Sequence, residues 1–298
     1  MRPAALRPGR QRPLSTSGSA WGRRDVLAAL GTFGWLGGWG AVHAPLAAAS
    51  TVGAPGVAAP SAPVATVAAA SDLKFALETI AADFERQTGH RLRLVFGSSG
   101  QFFTQIRQGA PFHLFMSADE DFVFRLADEG RTLDRGQLYG VGRIGLFVPH
   151  GSPLRPDGQL KDLAAALADG RLQRLAIANP AHAPYGARAR EALTHVGLWP
   201  AIEPRLVIGE NISQAAQFAS IGAAQGGIIA LSLAMAPALA ALGRFELIPE
   251  GFHKPLLQRM VLIKGAPPAA VAFHAYLAQP QAQQVMVRFG FTRPAGVR

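Results

Sequence analysis

Three apolar runs, each ending in small polar residues and then an amphipathic stretch, constrain this chain more than any other feature. "VATVAAAS" (64–71) is short, uncharged and rich in small and β-branched residues, the mark of a buried strand. "LKFALETIAADFERQTG" follows and sets Leu73, Leu77, Ile80, Ala81 and Phe84 at helical spacing, with Gly89 as a C-terminal stop. "HRLRLVFG" (90–97) alternates as a strand does, and "GQFFTQIRQGA" reads as a short helix. "PFHLFMSAD" (111–119) is another buried strand, and "EDFVFRLADEG" a helix ending at Gly130. Strand and helix in strict alternation predict an α/β fold with a mostly parallel sheet flanked by helices.

The pattern restarts with "GRIGLFVP" (142–149). Strands are then expected in "RLAIANP", "PRLVIGEN", "GGIIALS" and "LLQRMVLIKG" (256–265), separated by helical stretches. A second α/β unit of similar size is the natural reading, and 298 residues suffice for two. No cysteine is present, which excludes disulfides, thiolate chemistry and cysteine-held metal.

The formal charge of +10 invites a nucleic-acid reading, but half of it lies in residues 1–50, where six arginines face Asp25 alone. The rest is dispersed, with no basic groove interleaved with aromatics, so no nucleic-acid partner is expected. "WGRRDVLAALGTFGWLGGWGAVHAPLAAAS" has paired arginines, a glycine-containing apolar stretch and small residues. That is the layout of an export signal over 1–49, of the twin-arginine kind. Residues 50–63 read as an Ala/Pro/Gly linker.

Three strand ends share a property. Ser71, the pair Ser98 and Ser99, and Glu210 with Asn211 each stand where a strand gives way at once to a helix. Such junctions gather unpaired backbone N–H groups at the carboxyl edge of a sheet, where open α/β sheets bind ligands. Several aimed at one point suit an anion. The plainer reading is helix capping, which fits Ser71 or Asn211 taken singly. One cap needs one serine, however, so the doubled serine between glycines leaves binding and capping both open. Tyr185 in "NPAHAPYGARAREAL" brings a hydroxyl to a fourth junction, or packs there. "GSSG" is not a G-x-S-x-G elbow, and no histidine has a spacing that nominates it as a base.

Together, "VAAASDLKFALETIAADFERQTG", "VFGSSGQFFTQIRQGAPFHLFMSADE", "IANPAHAPYGARAREAL", "IGENISQAAQF" and "GGIIA" resemble, in order, the periplasmic molybdate/tungstate-binding proteins of ABC transporters (ModA-like), over residues 64–292. The resemblance implies a two-lobe, type II periplasmic binding protein. Lobe one would be 64–140 and 249–298, and lobe two 141–248. It implies an oxyanion held by Ser71, Asp72, Ser99, Tyr185 and Ile212. Molybdenum would be present only as molybdate, with no direct protein–metal bond. It further implies no cofactor, no catalysis, a monomer in the periplasm and an ABC permease at the inner membrane as partner. Two departures stand out. Ala230 occupies a position where some members carry tyrosine, so Tyr185 is expected to supply that hydroxyl. Asp72 stands where some members carry a neutral residue, so it is expected to offer its backbone N–H and turn its carboxylate away. The competing readings are a receptor for sulfate, phosphonate or a small organic acid, and a serine hydrolase using Ser98 or Ser99.

Overall fold

The computed structural model describes residues 64–292. The expected signal and linker lie outside the described residues. Among the described residues ten strands form two sheets. The first takes β1 (Ala65–Ala70), β2 (Leu92–Gly97), β3 (Leu114–Ser117), β4 (Gln137–Gly142) and β10 (Leu256–Leu262). The second takes β5 (Ile144–Pro149), β6 (Leu175–Ala178), β7 (Leu206–Gly209), β8 (Gly226–Ala230) and β9 (Gly243–Leu247). Helices α1 (Lys74–Thr88), α2 (Ser99–Arg107) and α3 (Glu120–Asp128) connect the first sheet. Helices α4 (Lys161–Ala168), α5 (Pro184–His195), α6 (Trp199–Ile202), α7 (Ile212–Ser220), α8 (Leu231–Ala234) and α9 (Pro237–Ala240) belong to the second, and α10 (Pro268–Leu277) and α11 (Pro280–Arg288) close the chain.

The sheets repeat one plan. Their orders are β2-β1-β3-β10-β4 and β7-β6-β8-β5-β9. In each, two parallel pairings are followed by two antiparallel ones. Each sheet is thus mixed, because one strand (β10 or β5) enters from the opposite direction. The two-lobe, type II arrangement inferred from the resemblance is the one observed. Two strands escaped the sequence reading. β4, "QLYGVG", carries two glycines, and β9, "GRFEL", is a half-exposed edge.

Local chemistry explains the frame. Helix α1 buries Ala76, Leu77, Ile80, Ala81 and Phe84 on one face and stops at Gly89, whose φ of 70° is the left-handed cap a glycine adopts freely. β1 is buried on both faces, as its uncharged run requires. Register then sets the site: Ala70 pairs with Gly97 in the first sheet and Ala178 with Gly209 in the second. Neighbouring strands therefore end level, and the helices that follow them begin side by side. Apolar residues cover both faces of the first sheet, while the core of the second reaches across to Ala70 and Ala118. No described helix is long and apolar enough to cross a membrane.

Candidate functional site

The strand ends of the two sheets meet around one small cavity of about 10 Å³. Ser71, Asp72, Ser99, Tyr185 and Ile212 all line it, with Ala70, Gly97, Ser98, Ala118, Ala183 and Pro184 completing the wall. None of these is lysine or arginine. Ser71 follows β1 and opens a 3-10 turn, Ser99 and Ile212 are the first residues of α2 and α7, and Tyr185 is the second of α5. Each of the latter two helices leads with amides that no carbonyl of its own helix can reach.

Hydrogen bonds sort the capping reading from the binding one. Asn211 is a cap: its side chain accepts the N–H of Gln214 at 3.1 Å. The serines differ: Ser98, the N-cap of α2, makes no side-chain capping bond, and the Ser71 hydroxyl bonds across to α7 and not to its own helix. Ser71 Oγ donates to Asn211 Oδ1 at 3.1 Å and accepts the Ser213 N–H at 3.2 Å, while Ser213 Oγ returns a bond to the Ser71 carbonyl at 2.8 Å. These bonds tie the first sheet's strand end to α7. Ser99 is fully buried, and its Oγ accepts the Ala118 N–H at 2.9 Å. Its own proton has no acceptor among the described residues, so it is a donor in reserve at the cavity wall.

Ser98 invites a catalytic reading. His182 Nδ1 lies 2.9 Å from Ser98 Oγ, and His182 Nε2 lies 3.4 Å from Glu210 Oε2. Yet Ser98 Oγ also sits 2.6 Å from the carbonyl oxygen of His182, an acceptor with no proton to give. The hydroxyl's single proton goes there, and the imidazole then donates to Oγ instead of drawing a proton from it. A nucleophile's base must stand ready to take that proton. The same carbonyl accepts the Gly100 N–H at 3.0 Å, and a Cβ on Gly100 would lie 2.5 Å from it. This contact fastens the two halves closely and lacks the polarity of a triad.

Asp72 lines the cavity, and its carboxylate is buried in a network of bonds. Oδ2 accepts the Tyr185 hydroxyl at 2.9 Å and Gln258 Nε2 at 2.8 Å. Gln258 Nε2 is also 3.0 Å from the Tyr185 oxygen, and its Oε1 accepts the Tyr139 hydroxyl at 2.8 Å. Ser232 Oγ donates to the Asp72 carbonyl at 2.8 Å. Tyr185 thus lines the cavity with its proton committed to Asp72. Burial pushes the Asp72 carboxyl up to about 6, against the lowering effect of the bonds from Gln258 and Tyr185. Burial, and then the negative charge of Asp72, raise both tyrosines well above their ordinary value. Gln258 and Tyr139 went unremarked in the sequence. The available signal was a glutamine at a core position of an apolar strand, where it is fully buried between Leu256 and Met260.

Farther out, Arg188 of α5 donates to Asp119 Oδ2 at 2.9 Å and to Glu191 at 2.7 Å. Asp119 caps α3 of the first sheet. The cap residue thus also bonds across to the other sheet's helix.

The family profile for bacterial extracellular solute-binding proteins matches residues 65–292. The molybdate-binding protein ModA of Rhodobacter capsulatus is 36% identical over 240 residues, which span 79% of this chain and 91% of that protein. The ModA of Azotobacter vinelandii is 36% identical over 228 residues, 76% of this chain and 88% of that one. The solved structure of the Azotobacter vinelandii periplasmic molybdate-binding protein superposes with a TM-score of 0.69 at 30% identity, covering 77% of this chain and 99% of its own. The sulfate-binding protein SubI of Mycobacterium tuberculosis shares the fold, with a TM-score of 0.62 at 16% identity. The two mixed sheets are thus those of a known architecture, and the chain belongs to the bacterial extracellular solute-binding proteins, in the ModA family.

Proposed function

We propose that this protein captures molybdate or tungstate between its two lobes and delivers it to an ABC transporter. One observation carries the reading: residues from both sheets converge on a small cavity with amide and hydroxyl donors and no cationic side chain. A cavity of about 10 Å³ is far below the ~300–1,000 Å³ of pockets for drug-sized ligands, so the site suits nothing larger than a small ion. Ser71, Asp72, Ser99, Tyr185 and Ile212 form its wall. The uncommitted donors nominated for the ion are the Ser99 hydroxyl and the backbone amides of Ser99 and Ile212, the first residues of α2 and α7. Each hydrogen bond to a charged group contributes about 1.5–3 kcal/mol. A handful exceeds the roughly 8 kcal/mol of micromolar binding and leaves a margin for desolvation.

The remaining parts of the proposal follow from that role. The lobe boundary expected at 140/141 moves to Arg143, because β4 runs to Gly142 in the first sheet: lobe one comprises 64–142 and the chain from 249, and lobe two 144–248. The protein works as a monomer in the periplasm after twin-arginine export, without cofactor or catalysis, and docks to a permease at the inner membrane. A thermal-shift series tests the central claim. A ligand at a hundred times its Kd adds about 2.7 kcal/mol of stability. Stabilisation by molybdate and tungstate, and none by sulfate, is the expected outcome. Stabilisation by sulfate or a phosphonate alone would assign the cavity to another anion. Ester turnover lost in Ser98→Ala would make it a hydrolase.

A further inference from the structure

Asp72 presents a problem that the donor count does not solve. An acidic residue lines a cavity meant for an anion. It is 1% exposed. Oδ2 is saturated by Tyr185 and Gln258, whereas Oδ1 is buried with no hydrogen-bond partner among the described residues. An ionised carboxylate left this way would repel a dianion and leave a buried acceptor unsatisfied. A protonated one would do neither, because the two donors pin Oδ2 as the carbonyl oxygen and leave the proton to Oδ1.

We propose that Asp72 serves as a neutral acid in the bound state, carrying a proton on Oδ1 and donating it to the captured oxyanion. The reading rests on the oxyanion role proposed above and adds a stoichiometry to it: one proton enters from solvent with each dianion bound. No bond to the ion's central atom is made, and release of the ion returns the proton to solvent.

The surroundings favour this. Tyr139 of β4 and Tyr185 of α5 are the titratable groups that face the carboxyl, and burial raises both further from ionisation. Gln258 of β10 and Ser232 of α8 are neutral, as are Asn211 and Ser213 of α7 beside the neighbouring Ser71. The nearest cations on the adjoining elements are engaged or solvated. Arg188 holds Asp119 and Glu191, Arg259 holds Glu120, Arg143 holds Glu250, and Lys74 is exposed. Nothing positive therefore neutralises Asp72. Burial already brings its carboxyl to about 6, and an adjacent dianion shifts it further the same way.

Calorimetry of the full chain against sodium molybdate from pH 6 to 8.5 tests the proposal. Wild type should lose affinity by about tenfold per pH unit above the free carboxyl's midpoint. In buffers of different ionisation enthalpy near pH 7.5, it should take up close to one proton per ion. Asp72→Asn, which fixes the neutral form in the same shape, should bind with a flat pH profile, no proton uptake, and higher affinity than wild type at pH 8. A wild-type affinity independent of pH with no proton uptake overturns the proposal while leaving molybdate capture intact. Failure of both proteins to bind molybdate or tungstate, with tight binding of hydrogen phosphate by wild type, overturns both. It would mean that an ionised Asp72 accepts a proton from the ligand.

Discussion

The Ala118 N–H donates to Ser99 Oγ at 2.9 Å, and this bond decides where the serine's own proton can go. With its oxygen oriented by a backbone donor, the hydroxyl is left with its proton available at the cavity wall. Ser99→Ala removes that donor and strands the buried Ala118 amide. Calorimetry with molybdate should show affinity weakened by about 1.5–3 kcal/mol, and denaturation should show about 1–3 kcal/mol lost from the unliganded protein. Unchanged affinity would remove Ser99 from the site.

Asp72 has a stability signature separate from binding. Its folded carboxyl titrates near 6 and its ordinary value is 3.8. Between those values the folded state holds a proton that the unfolded state has released. Stability therefore falls as pH rises through this window, and the full penalty is present above about 6. Asp72→Asn should escape it. Urea denaturation without ligand should find the variant and wild type closest near pH 4. The variant should be more stable by about 3 kcal/mol, to order of magnitude, at pH 8. A variant less stable than wild type at pH 8 would contradict the buried, uncompensated carboxylate.

Arg188 and Asp119 join a helix of the second sheet to the cap of a helix of the first. Burial raises the Asp119 carboxyl, outweighing the bond from the Asp121 amide and the charge of Arg188. The pair is thus costly to break from one side. Arg188→Met should weaken molybdate affinity by about 1–3 kcal/mol and enlarge the liganded protein in X-ray scattering. Adding Asp119→Asn should recover part of the loss, because no unpaired carboxylate then remains. A double-mutant cycle with no coupling would show that the contact does not serve closure.

Gly142 ends β4 against the site's support. A Cβ there would collide with the Tyr185 hydroxyl and lie 2.6 Å from Gln258 Nε2. Gly142→Ala should displace both from Asp72 and destabilise the fold by about 1–3 kcal/mol through overpacking. Differential scanning calorimetry measures it, and an unshifted Tm would show that the network relaxes freely.

Much of this architecture was legible because its signals are local. The run "VATVAAAS" declares a strand buried on both faces, and Gly89 declares the end of α1. The doubled serine marked a junction that one cap could not explain, and Ser98 makes no capping bond through its side chain. What stayed hidden depends on distant partners. β4 exists because β10, more than a hundred residues later, pairs with it, and nothing within "QLYGVG" announces that. The Asp72 carboxylate is held by Gln258 on the same β10, so no neighbouring residue warned that the side chain would face inward. Asn211, by contrast, followed the ordinary rule for its kind and caps α7.

The end of β4 at Gly142 and the start of β5 at Ile144 leave Arg143 alone between the two sheets. A tether one residue long has no slack to pay out. Relative displacement of the halves at that point is restricted to tilting, so any gap at the strand tips must open as an angle with its vertex near Arg143. A wedge of that form opens least beside Gly142, where the Tyr185 hydroxyl sits, and more at junctions farther from the vertex.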